Sequence, residues 1–212
     1  MTDHQLTEAV ELLKSRDAKK RMTAVDMAAE LNTAGSVALL IKAIQDQSWS
    51  LREYAIKKTA LAGHQAVQPL IRLLRDGVWY TRAAALQALE LIGDIVALNA
   101  VMGLCKDPNR SVSEAARQAV SVLTGKTEMG ALLAQVEKMN SEQRGILISL
   151  VSESNANLAE SLKAHMAGLP TYAASGVFSS ADEPDMAERL QGLRREIKTI
   201  LRQSGRDGNE DA

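Results

Sequence analysis

This 212-residue chain has almost no cysteine and few aromatic residues. Cys105 stands alone, which excludes an internal disulfide and any zinc site built from cysteines. One Phe, two Trp and three Tyr leave the apolar load to Ala and Leu. That scarcity argues against a β-sandwich or barrel, which draws on aromatic and β-branched residues, and suits closely packed helices. Neither charge sign dominates: 25 basic residues face 26 acidic ones, for a net charge of −1. A protein that lives on a phosphate backbone shows a basic excess or stripe, so no nucleic-acid partner is expected. No run reaches the roughly 18 apolar residues of a membrane span. The opening Met1-Thr2-Asp3-His4-Gln5 lacks the basic start and apolar run of a signal peptide. The expectation is a cytoplasmic protein.

Signs of chemistry are equally sparse. His4, His64 and His165 lie far apart in the sequence, and no Ser-His-Asp order, nucleophile elbow or phosphate-cradling Gly loop occurs. Metal ligands do not cluster. Cys105 falls in the apolar stripe of its segment and reads as a small core residue. No catalytic, cofactor-binding or metal site is expected, and the chain reads as a non-enzyme.

What the sequence does contain is a repeat. Arg52, in Trp49-Ser-Leu-Arg52-Glu-Tyr-Ala55, stands 30 residues before Arg82, in Trp79-Tyr-Thr-Arg82-Ala-Ala-Ala85. Steps of 31 extend the column to Arg21 in one direction and to Ser113 and Arg144 in the other. Three residues after each position come Ala24, Ala55, Ala85, Ala116 and Leu147. Asp46, Asp76 and Asp107 stand six before the column, while Gly63, Gly93 and Gly125 follow it by eleven or twelve. Within a unit the pattern is two helices. Arg82–Ile92 carries a helical apolar stripe, Gly93-Asp94 breaks it, and Ala97–Cys105 forms a second helix before Asp107-Pro108. An unpaired helix at 4–15 thus precedes units at 17–46, 48–76, 79–107, 110–139 and 141–168. No such unit buries both of its faces alone, so stacking is required.

The columns resemble the HEAT-repeat family, in particular the short bacterial type called PBS-lyase HEAT-like repeats. Asp76, Arg82, Ala84, Ala85, Ala88, Leu89 and Gly93 follow that pattern, as do Asp107-Pro108 and Val112. Ser113 departs from it, and so does Gly145 inside the last unit. The resemblance implies an all-α fold, a right-handed α-solenoid of about five HEAT-like helix pairs flanked by an N-terminal helix and a C-terminal amphipathic helix. The resemblance covers about 17–168, and residues 1–168 are expected to form the solenoid. Residues 169–184 read as a linker loop, 185–203 as an amphipathic helix and 204–212 as a disordered tail. The amphipathic helix fits either a cap on the array or a partner's groove.

Two surfaces are candidates for partner binding. Trp49 and Trp79 share a column three before the arginine, in the first turn of an outer helix, and Tyr80 adds a third ring. Such rings either cover the preceding loop or form a binding hot spot. In HEAT arrays the second helices line the concave side, where Lys42, Arg72, Arg75 and Lys106 gather in the middle units. Gly103 leaves a notch beside them, a groove suited to an acidic segment of a protein. The Asp and Arg columns read as a ladder of charge-assisted bonds between units. The function implied is a non-catalytic scaffold, adaptor or assembly factor. The family also implies an alternative, a subunit of a chromophore (bilin) lyase or cofactor-maturation enzyme.

Overall fold

The computed structural model describes residues 2–167. They form α1 (Thr2–Leu13), α2 (Ala18–Leu31), α3 (Ala34–Ile44), α4 (Trp49–Leu61) and α5 (His64–Asp76), then α6 (Trp79–Ile92), a 3-10 turn (Ile95–Ala97) and α7 (Leu98–Met102). After these come α8 (Arg110–Lys126), α9 (Met129–Val136), α10 (Ser141–Ser154) and α11 (Ala156–Ala167). This is an all-α solenoid: α1 leads, and five pairs follow at the expected places. The expected linker (169–184), amphipathic helix (185–203) and tail (204–212) lie outside the described residues.

The first helices stack on one another, α2 on α4, α4 on α6, α6 on α8 and α8 on α10. The second helices form another layer, with α3 against α5 and α5 against α7. The small column makes this stacking close. Ala24, Ala55, Ala85 and Ala116 are fully buried, as is Leu147 in the last unit. α1 packs on α2 and α3 and covers the first unit's open side. Gly35 lets it approach, since a Cβ there would stand 2.7 Å from Leu6 Cδ2.

Local chemistry sets the helix limits. Asp17, Ser48, Asn109 and Asn140 occupy the same N-cap position in four units, and each accepts a backbone N–H of the first turn. Val78 holds that position before α6 and offers no side-chain bond. Gly93 ends α6 in the left-handed region, at φ 73°, as its place after the apolar stripe predicts. Asn32, eleven residues after Arg21, does the same for α2 at φ 43°. Asparagine tolerates that region, so one column serves two residue types.

Two expectations need correction. In place of a helix over Ala97–Cys105, a 3-10 turn leads into a five-residue α7 that stops at Met102, with turns up to Lys106. Gly125 lies inside its helix, since α8 continues to Lys126. The ladder holds only in part. Arg82 Nη2 donates to both Asp107 carboxylate oxygens, at 3.0 and 2.9 Å. Arg21 Nε lies 3.4 Å from Asp46. Arg52 and Asp76 do not pair. Arg52 donates to the carbonyls of Asp46 and Gln47, both at 2.8 Å, and Asp76 is exposed. Ser113 bonds only within its own helix, to the Arg110 carbonyl.

Candidate partner-binding surfaces

α4 and α6 bring the three predicted rings together. Trp49 and Trp79 each open their helix, and the stacking of α4 on α6 sets the two side by side. A cleft of about 370 Å³ lies between, lined by Trp49, Arg52, Glu53, Trp79, Tyr80 and Gln87 among others. Trp49 is 69% exposed and Trp79 50%, so neither ring is buried over a loop. Trp79 meets Tyr80 edge to face, with centroids 5.6 Å apart and planes at 87°. The Arg52 guanidinium lies 4.8 Å from the Tyr80 ring centroid, within cation–π range. This contact takes the place of the missing Asp76 pair. It also holds Tyr80 as the wall of the cleft.

Sequence reasoning found the three rings because they stand out in a chain poor in aromatics. It missed Arg52, Glu53, Gln87 and Ser111 as lining residues. Arg52 belongs to a column that reads as structural, and the other three belong to no column. Only the packing of α6 between α4 and α8 brings them to one place.

The four basic residues are all exposed on the second-helix layer, Lys42 on α3, Arg72 and Arg75 on α5, and Lys106 in the turn after α7. Two cavities of about 700 Å³ flank α5. One, between α3 and α5, is lined by Val37, Ile41, Pro69, Arg72 and Asp76 among others. The other, between α5 and α7, takes in Ile71, Arg75, Gly103 and Leu104. The expected notch at Gly103 is thus part of a larger recess. Among the described residues, Lys42, Arg72 and Arg75 have no ion pair. Lys106 reaches Glu142 at 2.9 Å, with both side chains about two-thirds exposed, a pair of little energetic weight.

The titratable groups elsewhere have structural work. Cys105 is buried, and burial pushes its thiol pKa up, which keeps it unreactive. His64 Nδ1 pairs with Asp94 across adjacent units. Burial raises the Asp94 pKa, but the His64 bond and the Val96 N–H lower it further. His165 lies 3.6 Å from Glu137. Asp26 on α2 receives Tyr54 Oη and Lys58 Nζ from α4, both at 2.6 Å. Burial pushes its carboxyl up, yet the bonds from Lys58 and Tyr54 outweigh that and hold it below the usual value. This inter-unit tie lies off the repeated columns, so pattern reading had no signal for it. Among the described residues no group of three or more His, Cys, Asp or Glu is placed to hold a metal. None of the described helices is long and apolar enough to cross a membrane.

Paired helices in two stacked layers, with a buried column of Ala24, Ala55, Ala85 and Ala116 along the first helices, define an α-solenoid. Residues 38–121 match the family described as HEAT repeats. The matched stretch includes the aromatic cleft's tryptophans and all four basic residues. No curated protein matches the chain. HEAT repeats generally mediate protein–protein interaction.

Proposed function

We propose that this protein is a non-catalytic adaptor that holds a protein partner in the cleft between α4 and α6. The observation that carries the reading is the exposure of both tryptophans of the chain at one repeated position. Each indole left in water gives up burial worth about 2 kcal/mol or more, so neither ring serves the fold well where it stands. Trp and Tyr are the residues most enriched at the energetic centre of interfaces. Tyr80, fixed between Trp79 and Arg52, gives the site a rigid wall that loses little entropy on binding. The columns around Arg82 support the finer likeness to PBS-lyase HEAT-like repeats.

The test is capture of a partner from native extract, comparing the protein with a Trp49→Ala/Trp79→Ala double variant of equal helical content. The expected result is one protein retained by the first and lost with the second. Equal retention by both would remove the cleft from the reading. A tetrapyrrole absorbance band on the purified protein would favour the lyase-subunit alternative.

A further inference from the structure

We infer that the second-helix layer is a docking site for an extended acidic segment whose apolar residues are spaced three apart. The inference rests on the protein-binding reading above but uses a separate surface. Its ligand is a polypeptide rich in Asp and Glu, interrupted by Leu, Ile or Met.

Three observations carry it. The first is charge. Arg72 and Arg75 stand three apart on α5, so their side chains share one face and repel each other. Among the described residues neither has a carboxylate partner, and Lys42 is likewise unpaired. The four arginines of the repeated column do structural work: Arg21, Arg52, Arg82 and Arg144 all reach back to backbone carbonyls. Two exposed, mutually repelling arginines do nothing for the fold, and a carboxylate-bearing ligand relieves the repulsion with bidentate bonds. Asp76 is an acidic residue on the rim of the first cavity. It sits at one end of α5, Asp107 in the lining of the second cavity is taken up by Arg82, and the basic residues outnumber the two.

The second observation is the pair of cavities. Each is about 700 Å³, and each has one of the two arginines in its lining, Arg72 on the α3 side and Arg75 on the α7 side. Their walls are mostly apolar side chains such as Val37, Ile41, Ile71 and Leu104. A ligand that crosses α5 therefore meets an apolar recess, two guanidinium groups and a second apolar recess, in that order.

The third is the spacing. Packed helices lie about 8–10 Å apart, which sets the distance between recesses on either side of α5. A polyproline II segment rises about 3.1 Å per residue with three residues per turn, so side chains three apart share a face about 9 Å from each other. Two apolar residues so placed enter the two recesses, and the two acidic residues between them fall over Arg72 and Arg75. A helical ligand needs about seven residues for the same span. It then turns most of the side chains between its two anchors away from the ridge, and so fits it less well.

The test is fluorescence anisotropy of the full chain with labelled peptides of about twelve residues. One peptide has leucine at every third position and Glu or Asp between. A second has the same leucines with Lys between, and a third has the acidic composition with leucines every seventh position. The acidic third-spaced peptide is expected to bind about tenfold or more tightly than either control. Arg72→Glu/Arg75→Glu, both surface changes, should weaken it by about tenfold or more, with circular dichroism unchanged. Raising salt from about 50 to about 300 mM should weaken it as well. Trp49→Ala/Trp79→Ala should leave this affinity unmoved, which separates the surface from the aromatic cleft. Equal binding of acidic and basic peptides, or full binding by the arginine double variant, overturns the inference. So does tighter binding of single-stranded DNA of similar length, which would make the surface a phosphate site. Preference for the seventh-spaced peptide overturns the extended conformation.

Discussion

The turn between α7 and α8 and the turn between α5 and α6 hold the same place in successive units, yet only the first is tied. At the α7–α8 turn, Asp107 takes both Arg82 bonds on one side and the Asn109 N–H on the other, at 2.8 Å. Asn109 then caps α8. The α3–α4 turn repeats the arrangement through Asp46, which accepts the Ser48 N–H at 2.8 Å and faces Arg21. At the α5–α6 turn none of this occurs. Asp76 is exposed, Val78 offers no cap, and Arg52 lies on Tyr80. The cause is one residue. The arginine column steps by 31 everywhere except from Arg52 to Arg82, where it steps by 30. The shorter unit keeps Asp76 in the last turn of α5, whereas Asp46 and Asp107 stand in the turn beyond their helices. A conserved-looking column thus has two meanings, set by whether its residue stands inside or outside a helix. The loosened joint is also the one that opens into the aromatic cleft.

Breaking the tied joint should show the largest effect. Asp107 is 5% exposed and Arg82 20%, so Asp107→Ala strips a partly buried guanidinium of its partner and costs about 2–4 kcal/mol. Asp76→Ala, in the same column, should change stability by less than about 0.5 kcal/mol. Urea unfolding of the two variants side by side measures the contrast, and equal losses would refute it. Next in size is Gly77→Ala. A Cβ there would stand 2.6 Å from the Leu73 carbonyl oxygen, a backbone atom that has little room to move. The expected cost is about 1–2 kcal/mol, read as a lower urea midpoint. By contrast, Gly145→Ala places its methyl group in open space inside α10 and should stabilise by about 0.5–1 kcal/mol.

The untied joint can also be improved. Val78→Ser supplies the missing cap of α6 and should raise stability by about 1 kcal/mol. A thermal melt that does not shift upward would show that the shorter turn, rather than the residue type, prevents capping. The smallest effect concerns pH. Tyr54→Phe removes one of the bonds that hold the Asp26 carboxyl low, at a cost of about 0.5–1 kcal/mol at neutral pH. A depressed carboxyl stabilises the fold above its unfolded pKa of about 3.9 and loses that contribution as pH falls through the lower folded value. The gap between wild type and Tyr54→Phe should therefore narrow below about pH 4. A gap that stays constant down to about pH 2.5 would mean that the Asp26 tie does not carry it.

Most of the architecture was legible because repeats state it several times over. Ala24, Ala55, Ala85 and Ala116 each marked a buried crossing, and all four are buried. The limits of α7 were not legible, since Ala97–Cys105 carries an apolar pattern that a short helix and a run of turns satisfy equally well. At the surfaces, the rings and the basic residues could be named one at a time. Their meeting could not be read, because Trp49 and Trp79 come to line one cleft, and Arg52 reaches Tyr80, only across the α4–α6 joint.

Period and residue size along one strand of sequence determined that this chain is a stack of helix pairs, because helical stripes and small columns are local statements repeated at each unit. Tertiary structure alone decided which charges became ties and which remained free. Asp46, Asp76 and Asp107 are the same letter at the same place in three units, but a bond requires the carboxylate to stand within about 3 Å of its donor. One residue of turn length moves it out of reach.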